Sequence, residues 1–157
     1  MIYTPWPYQQ HAEQHIIDNP YSGLFMEMGL GKTVTTLTAT SKLLAAGTVR
    51  RVLVIAPKRV AEDTWISEKD KWDHLRHLKL SIVLGCERER KEALKAKADI
   101  YVINRENIVW LTAQYGGAFP FDMVIIDESS SFKNASAQRC KALRRVRPLI
   151  QRVVLLT

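Results

Sequence analysis

The sequence predicts an α/β protein in which three layers, α/β/α, surround a mainly parallel β-sheet. Short apolar runs alternate with longer amphipathic stretches along the whole chain of 157 residues. Most of the short runs are rich in Val and Ile and lack in–out alternation, which is typical of strands covered on both faces. Because strand and helix alternate strictly, we expect a parallel sheet with helices on both sides.

The individual elements follow from this alternation. The predicted strands are 24–26, 52–56, 80–84, 100–103, 123–126 and 153–156. The predicted helices are 8–18, 32–46, 59–72, 87–97, 106–115 and 136–146. Asn19-Pro20 ends the first helix, since proline cannot continue it, and glycines such as Gly47 and Gly85 mark connections.

Composition narrows the class of protein. The length suits one domain, and no repeat or low-complexity linker divides the chain. Lys and Arg outnumber Asp and Glu by 23 to 16, which favours an anionic partner such as nucleic acid, although the same charge can serve solubility alone. Cys86 and Cys140 lack zinc-site or disulfide-framework spacing, which indicates reduced thiols in an intracellular, cytoplasmic protein. No apolar run approaches the roughly 20 residues of a membrane span, so no membrane partner is expected.

A candidate phosphate-binding loop, Met28-Gly29-Leu30-Gly31-Lys32-Thr33, lies between the first predicted strand and a long helix. A triphosphate needs several backbone N–H donors around its oxygens, and glycines let the main chain approach that closely. The N-terminus of the helix adds its positive dipole. We expect Lys32 to reach the terminal phosphates and the Thr33 hydroxyl to ligate Mg²⁺. The strand–loop–helix context disfavours the alternative of a plain glycine turn.

Two adjacent acids, Asp127 and Glu128, close the apolar run 123–126. Hydrolysis of a Mg-nucleotide needs one carboxylate that holds the metal and a second that activates water. Successive strand side chains point to opposite faces, so adjacent acids can diverge into these roles. We expect Asp127 to ligate Mg²⁺ beside Thr33, and Glu128 to be catalytic together with Lys32. A solvated strand end is the alternative, which the phosphate loop disfavours.

Three cations follow predicted strands directly and are candidates for nucleic-acid contact. Lys58 and Arg59 follow strand 52–56, and Arg105 follows strand 100–103. At this edge of the sheet they would contact backbone phosphates, so binding would tolerate any sequence and depend strongly on salt. The alternative is that they are ordinary loop cations.

These motifs resemble those of superfamily-two helicases, in particular the Swi/Snf-like branch and its bacteriophage or prophage forms. Glu27–Thr33 resembles motif I, with Met26 in place of the leading Asp, and residues 127–134 resemble motif II, with Ser129-Ser130 in place of Ala-His. Further resemblances are those of Pro7-Tyr8-Gln9 to the glutamine motif, Val54-Ile55-Ala56-Pro57-Lys58-Arg59 with Trp65 to motif Ia, Val102-Ile103-Asn104-Arg105 to the motif Ib segment, and Val153-Val154-Leu155-Leu156-Thr157 to the opening of motif III.

The resemblance implies that residues 1–157 form an N-terminal RecA-like P-loop NTPase lobe of a helicase-like protein. It implies ATP and Mg²⁺ as cofactors, with Gln9 reading the adenine edge, and it implies duplex DNA as the favoured partner. It also implies a second, C-terminal RecA-like domain, which this chain lacks, so we expect little activity from the lobe alone.

Three classes of function fit these residues. The first is the ATP-binding first lobe of a DNA translocase or helicase. The second is another P-loop phosphotransferase, and the third is a nucleotide- or DNA-binding module without turnover. Trp65, Ile66 and Trp72 are interpreted mainly as a packing stripe of a helix, with stacking on a base as the minor alternative.

Overall fold

The structure is a computed structural model that describes residues 1–26, 30–129 and 137–157. Its strands are β1 (Tyr21–Leu24), β2 (Val52–Ala56), β3 (Leu80–Val83), β4 (Ile100–Asn104), β5 (Met123–Ile126) and β6 (Arg152–Leu156). They form one sheet in the order β1-β6-β5-β2-β4-β3, and each neighbouring pair is parallel. The α/β prediction is therefore confirmed, and the described sheet is wholly rather than mainly parallel.

Helices cover both faces of this sheet. They are α1 (Pro7–Asp18), α2 (Lys32–Ala45), α3 (Trp65–Lys71), α4 (Glu87–Lys95), α5 (Ile108–Tyr115) and α6 (Ala137–Val146). Strand β2 shows how the layers divide, because alternate residues enter different cores. Val52 and Val54 pack with side chains of α1, α2 and α3, whereas Leu53 and Ile55 pack with those of α5 and α6. None of the helices in the described ranges is long and apolar enough to cross a membrane.

Helix α2 is rich in threonine, a residue with modest helix propensity, yet it is largely buried. Three of its hydroxyls donate to the carbonyl four residues earlier. Thr36 donates to Lys32 O at 2.6 Å, Thr38 to Val34 O at 2.7 Å and Thr40 to Thr36 O at 2.7 Å. These bonds satisfy polar groups that burial would otherwise leave unpaired, so the helix packs against the sheet without unsatisfied hydroxyls at these positions.

The largest differences from the predicted elements are in the first strand and in the helix after β2, while other ends differ by one or two residues. The first strand is Tyr21–Leu24 rather than 24–26, because its four residues pair in register with Val153 to Leu156 of β6. The helix predicted over 59–72 is divided into a π-helical turn, Val60–Thr64, followed by α3. The strands β2 and β5 have the predicted bounds. Ser136, the predicted start of α6, lies outside the described residues.

Candidate nucleotide-binding site

A cavity of about 510 Å³ opens at the carboxyl edge of the sheet. In α/β folds this edge is where ligands bind. Four segments form the walls: the N-terminal stretch with the start of α1, the loop before α2 with its first turn, the face of α3, and the end of β5. The lining residues are Tyr3, Thr4, Trp6, Tyr8, Gln9, Leu30, Gly31, Lys32, Thr33, Val34, Val60, Thr64, Glu68, Lys71, Trp72, Asp127 and Glu128.

Lys32 and Asp127 face each other in this cavity. Lys32 is the first residue of α2, which follows β1, and Asp127 directly follows β5; in the sheet β1 and β5 are separated only by β6. Lys32 Nζ lies 3.3 Å from Asp127 Oδ1, and the Asp127 side chain is only 3% exposed. The pair is within ion-pair distance, but Oδ1 accepts no well-oriented hydrogen bond from the described residues. A buried carboxylate oxygen in this state is available to a further cation.

The other oxygen of Asp127 has a partner that the sequence did not reveal. The indole nitrogen of Trp65, at the start of α3, donates to Asp127 Oδ2 at 3.1 Å. The Asp127 backbone N–H donates to Ile55 O at 2.8 Å, which continues the ladder between β5 and β2. Trp65 is fully buried, so the interpretation of a packing residue holds but is incomplete. The two partners are 62 residues apart, and no local pattern connects them.

Glu128 diverges from Asp127, as adjacent acids at a strand end were expected to do. Its side chain is exposed and lines the cavity, whereas that of Asp127 is buried. The change of direction is produced by a left-handed backbone at Glu128, with φ of 54°. A non-glycine residue in this region carries a conformational cost of about 1–2 kcal/mol. Such a cost is typical of residues whose geometry serves a site.

The phosphate loop is described from Leu30 onward, and Met28 and Gly29 lie outside the described residues. Gly31 caps α2 with φ of 75°, a left-handed value that glycine adopts readily. Lys32 and Thr33 are then the first two residues of α2. The N-terminus of α2, with the backbone N–H groups of its first turn and its positive dipole, therefore lies at the edge of the cavity that Lys32 and Thr33 line.

Gln9 lies beneath this loop and is buried. Its Oε1 accepts from the Trp6 backbone N–H at 2.9 Å, and its Nε2 donates to Leu30 O at 3.3 Å. Gln9 therefore joins the start of α1 to the phosphate loop. The prediction that it reads an adenine edge stays a prediction, since both amide atoms bond within the chain.

An aromatic and charged cluster supports the side of the cavity where Tyr3 lies. The Tyr3 ring stacks on His74 with centroids 4.7 Å apart, and the Tyr3 hydroxyl donates to Glu13 Oε2 at 3.0 Å. Lys42 Nζ lies 3.1 Å from the second Glu13 oxygen. Burial, partly opposed by a hydrogen bond with Thr35 and reinforced by Glu13, raises the pKa of Tyr3 to about 12. Burial also lowers the pKa of His74 below its ordinary value.

Ser129 and Ser130 occupy the positions of the Ala-His pair of motif II. Ser129 makes a contact that the sequence did not predict. The hydroxyls of Ser129 and Thr157 are 2.8 Å apart and hydrogen-bonded. This bond joins the segment after β5 to the end of β6, which are the segments resembling motifs II and III. Ser130 lies outside the described residues.

The candidate nucleic-acid residues lie at the same edge of the sheet as the cavity. Lys58 and Arg59 are exposed after β2, and Arg105 follows β4, which pairs directly with β2. Lys58 Nζ lies 4.0 Å from Glu62 Oε1, and Arg105 Nε lies 3.7 Å from Glu106 Oε1. The structure thus places the three cations on two neighbouring strand ends, and their contact with nucleic acid stays a prediction.

A second cavity, of about 540 Å³, lies between α5 and α6. It is lined mostly by apolar surface with Lys141 and Arg145 at its side, and it contains none of the predicted site residues. We assign the functional site to the smaller cavity, because only that one combines a lysine at a helix N-terminus with a buried carboxylate.

Donor chemistry in the smaller cavity fits a magnesium nucleotide. Lys32 and the start of α2 supply positive potential for phosphate oxygens. Asp127 Oδ1 and the Thr33 hydroxyl are hard oxygen donors of the kind that Mg²⁺ prefers. These features, on a parallel sheet with helices on both faces, define the class of the protein as a RecA-like α/β lobe.

The family model of the SNF2-related domain matches residues 8–157, and the chain therefore belongs to the SNF2-related domain family. The Swi/Snf-like resemblance identified from the motifs is confirmed. Among curated proteins, the chain is 40% identical over 134 residues to putative protein p41 of Acyrthosiphon pisum secondary endosymbiont phage 1, covering 84% of this chain and 29% of p41. It is 25% identical over 153 residues to the uncharacterized ATP-dependent helicase YqhH of Bacillus subtilis, covering 90% of this chain and 24% of YqhH.

A solved structure supports the same fold. The Sulfolobus solfataricus SWI2/SNF2 ATPase core in complex with dsDNA superposes with a TM-score of 0.75 at 21% identity, over 99% of this chain and 32% of that one. At this identity the likeness establishes the fold alone. The chain thus spans about a third or less of the length of each of these relatives.

Proposed function

We propose that this chain is the ATP-binding first lobe of an ATP-dependent DNA translocase or helicase, which couples Mg-ATP hydrolysis to movement on nucleic acid when joined to a second RecA-like lobe. The observation that carries the proposal is the pairing of Lys32 Nζ with the buried Asp127 Oδ1 at 3.3 Å, inside a cavity at the carboxyl edge of the sheet. Membership of the SNF2-related family supports it.

Each residue has a distinct role in this proposal. Lys32 binds the terminal phosphates, and Asp127 with the Thr33 hydroxyl holds Mg²⁺. Bound Mg²⁺ supplies positive charge that offsets the charge developing on the phosphate oxygens. Glu128, exposed in the cavity, accepts a hydrogen bond from the attacking water and so orients it. Gln9 fixes the loop that carries Lys32, through its bond to Leu30 O.

The second lobe completes the proposed motor. The curated relatives p41 and YqhH extend well beyond the part that this chain matches, which is 29% and 24% of their lengths. An arginine supplied from outside a nucleotide lobe is worth roughly 10³–10⁵ in turnover in related phosphoryl-transfer systems. We therefore expect the chain alone to bind Mg-ATP weakly and to hydrolyse it at a rate near background.

Binding of nucleotide is tested by the variant Lys32→Ala. Affinity for a fluorescent, non-hydrolysable ATP analogue in the presence of Mg²⁺ is expected to fall at least 10-fold, since a charge-assisted contact of about 1.5–3 kcal/mol is removed. Lys91→Ala, on the solvent side of α4 where Lys91 pairs with Glu87, is the matched control and should bind as the wild type does. Equal affinity of wild type and Lys32→Ala would refute the assignment of the site.

Coupling to DNA is tested by fusing the chain to the region of p41 that follows its matched segment. The fusion is expected to show DNA-stimulated ATP hydrolysis that Glu128→Gln abolishes. Intact nucleotide binding without DNA-stimulated hydrolysis would instead favour a nucleotide-binding module without turnover.

Phosphate contacts by Lys58, Arg59 and Arg105 give a separate test with duplex DNA. Each cation that contacts a phosphate contributes about 0.9 to the slope of log affinity against log salt concentration. Replacing Lys58, Arg59 or Arg105 singly by alanine should therefore reduce the slope by about 1, with little dependence on sequence. Arg88→Ala, an exposed cation on α4, is the control. Unchanged slopes in all three cation variants would exclude this strand-end track.

A further inference from the structure

The helix after β2 reaches the nucleotide cavity by an irregular path. Residues Val60–Thr64 form a π-helical turn, and the regular helix α3 begins only at Trp65. A π turn adds a residue relative to α-helical spacing and rotates the residues that follow by about 100°, and such turns occur frequently at functional sites. The rotation places the Trp65 ring in the core, fully buried, with its indole N–H directed at Asp127.

Asp127 is held differently at its two oxygens. Oδ2 accepts the Trp65 indole N–H at 3.1 Å, whereas Oδ1 faces Lys32 Nζ at 3.3 Å and accepts no well-oriented hydrogen bond from the described residues. The χ2 torsion of aspartate is broad, so the plane of an unrestrained carboxylate can rotate over a wide range of angles. A single buried donor on one oxygen restricts the orientation of that plane, and the other oxygen, Oδ1 here, then faces the cavity in a defined direction.

We infer that Trp65 is a positioning residue for the metal-binding carboxylate: its indole N–H holds Asp127 so that Oδ1 is presented to the Mg²⁺ of the bound nucleotide. The inference rests on the proposed nucleotide site and deepens it. Partners that orient a metal ligand commonly change metal affinity by 10–100-fold when they are removed, even though they do not contact the metal themselves.

A packing role for Trp65 makes a different prediction. Loss of packing lowers stability and disturbs nucleotide binding equally with and without metal. Loss of orientation leaves metal-free nucleotide binding unchanged and raises only the Mg²⁺ concentration that is needed to tighten it. The ratio of nucleotide affinity with Mg²⁺ to nucleotide affinity without it therefore distinguishes a positioning role for Trp65 from a packing role.

The test uses Trp65→Phe, which keeps a buried aromatic ring and removes the N–H. A fluorescent N-methylanthraniloyl ATP analogue, excited directly so that the loss of a tryptophan does not affect its signal, is titrated first in EDTA and then with Mg²⁺. We expect affinity in EDTA within 2-fold of wild type and a Mg²⁺ midpoint raised about 10-fold. Trp110→Phe, which removes an indole N–H bonded to Glu87 on α4, is the matched control and should leave both values unchanged.

A second variant covers the case in which phenylalanine does not fold. Site-specific replacement of Trp65 by benzothienylalanine preserves the shape of the bicyclic ring and replaces N–H by sulfur. It is expected to give the same rise in Mg²⁺ midpoint, whereas 5-fluorotryptophan, which retains the N–H, should restore the wild-type value.

The outcomes are distinguishable from those of the nucleotide-site test. If wild type binds the analogue with Mg²⁺ dependence and both N–H-lacking variants keep the wild-type midpoint, the positioning role is refuted and the nucleotide site stands. If wild type shows no Mg²⁺-dependent binding at all, the proposed function fails and the positioning role fails with it.

Discussion

The glycine at the N-cap of α2 offers a quantitative test of how the phosphate loop is supported. Gly31 has φ of 75°, and a Cβ at this position would lie 2.6 Å from Gln9 Nε2 and 3.2 Å from Val34 Cγ1. Real Cβ atoms do not approach other atoms to 2.6 Å, so in Gly31→Ala either the loop or Gln9 moves. We expect Gly31→Ala to destabilise the fold through both backbone strain and this displacement.

A second glycine separates the two contributions. Gly47, just after α2, has nearly the same φ, 73°, but a Cβ there would meet nothing within 4 Å. Left-handed alanine costs about 1–2 kcal/mol, and reduced entropy of the unfolded chain offsets about 0.4–1 kcal/mol of that. Gly47→Ala should therefore lower the free energy of unfolding by about 1 kcal/mol.

Gly31→Ala has the same backbone cost and a further one. Displacing Gln9 breaks its bonds with the Trp6 N–H and with Leu30 O, which are 2.9 and 3.3 Å long. With about 1 kcal/mol from the backbone and about 1 kcal/mol for each of the two hydrogen bonds, the free energy of unfolding should fall by about 3 kcal/mol in total. Because the excess comes from Gln9, it should largely disappear when Gly31→Ala is made in a Gln9→Ala background.

The assay is urea denaturation followed by tryptophan fluorescence, with the slope against denaturant checked for constancy between variants. The reasoning is refuted if Gly31→Ala and Gly47→Ala lower the free energy of unfolding by amounts that agree to within about 0.5 kcal/mol, because Gln9 would then move aside without losing stabilising hydrogen bonds. An excess that persists in the Gln9→Ala background would contradict the assignment to Gln9.

Three further predictions concern contacts near the cavity. Ser129→Ala removes the hydroxyl bond to Thr157 and should lower the free energy of unfolding by about 1 kcal/mol in the same assay. Burial lowers the pKa of His74 below its ordinary value of 6.5, so the unfolded chain binds this proton at a higher pH than the folded chain does. The free energy of unfolding should therefore fall as pH drops below 6.5, and His74→Gln should flatten that part of the pH profile. Burial is the main reason that the pKa of Tyr3 is raised to about 12 from 10.0, so the phenol ionises at a lower pH in the unfolded chain than in the folded one. The free energy of unfolding should therefore fall as pH rises from 10 to 12, and it should fall less steeply in Tyr3→Phe. Absorbance at 295 nm should show one tyrosine of the folded protein that ionises at a higher pH than the ordinary 10.0.

The central strands were predictable because their burial on both faces is reflected in their uninterrupted apolar sequences. Both β2 and β5 are buried at every position, so the uninterrupted apolar runs mark their bounds directly. The edge strand β1 contains Ser22 and Gly23, and its bounds are set by pairing with β6 rather than by its own composition. Strand order depends in the same way on packing between distant segments, which no local pattern records.

In the candidate site, too, residues that belong to short local motifs were predictable, whereas a contact between distant segments was not. Lys32, Thr33, Asp127 and Glu128 were predicted from two short motifs, and the structure brings all four to one cavity because the carboxyl ends of parallel strands share one edge. The Trp65 bond to Asp127 was not predictable, since it depends on a π turn that redirects the helix. Of the predicted phosphate loop, Met28 and Gly29 lie outside the described residues.

The pairing of β1 with β6 has a consequence for how the chain acquires its structure. Arg152, at the start of β6, donates to the carbonyls of Ile16 and Ile17 at the end of α1, across a separation of 136 residues in the first case. By contrast, β3 and β4 are neighbours in both sequence and space. Contacts between distant segments form slowly, because a long loop must close before they contribute any stability. We expect the four strands β2, β3, β4 and β5 to assemble first. The strand that leads into the phosphate loop would then be added last, so that a folding intermediate already has its main core while it still lacks affinity for nucleotide.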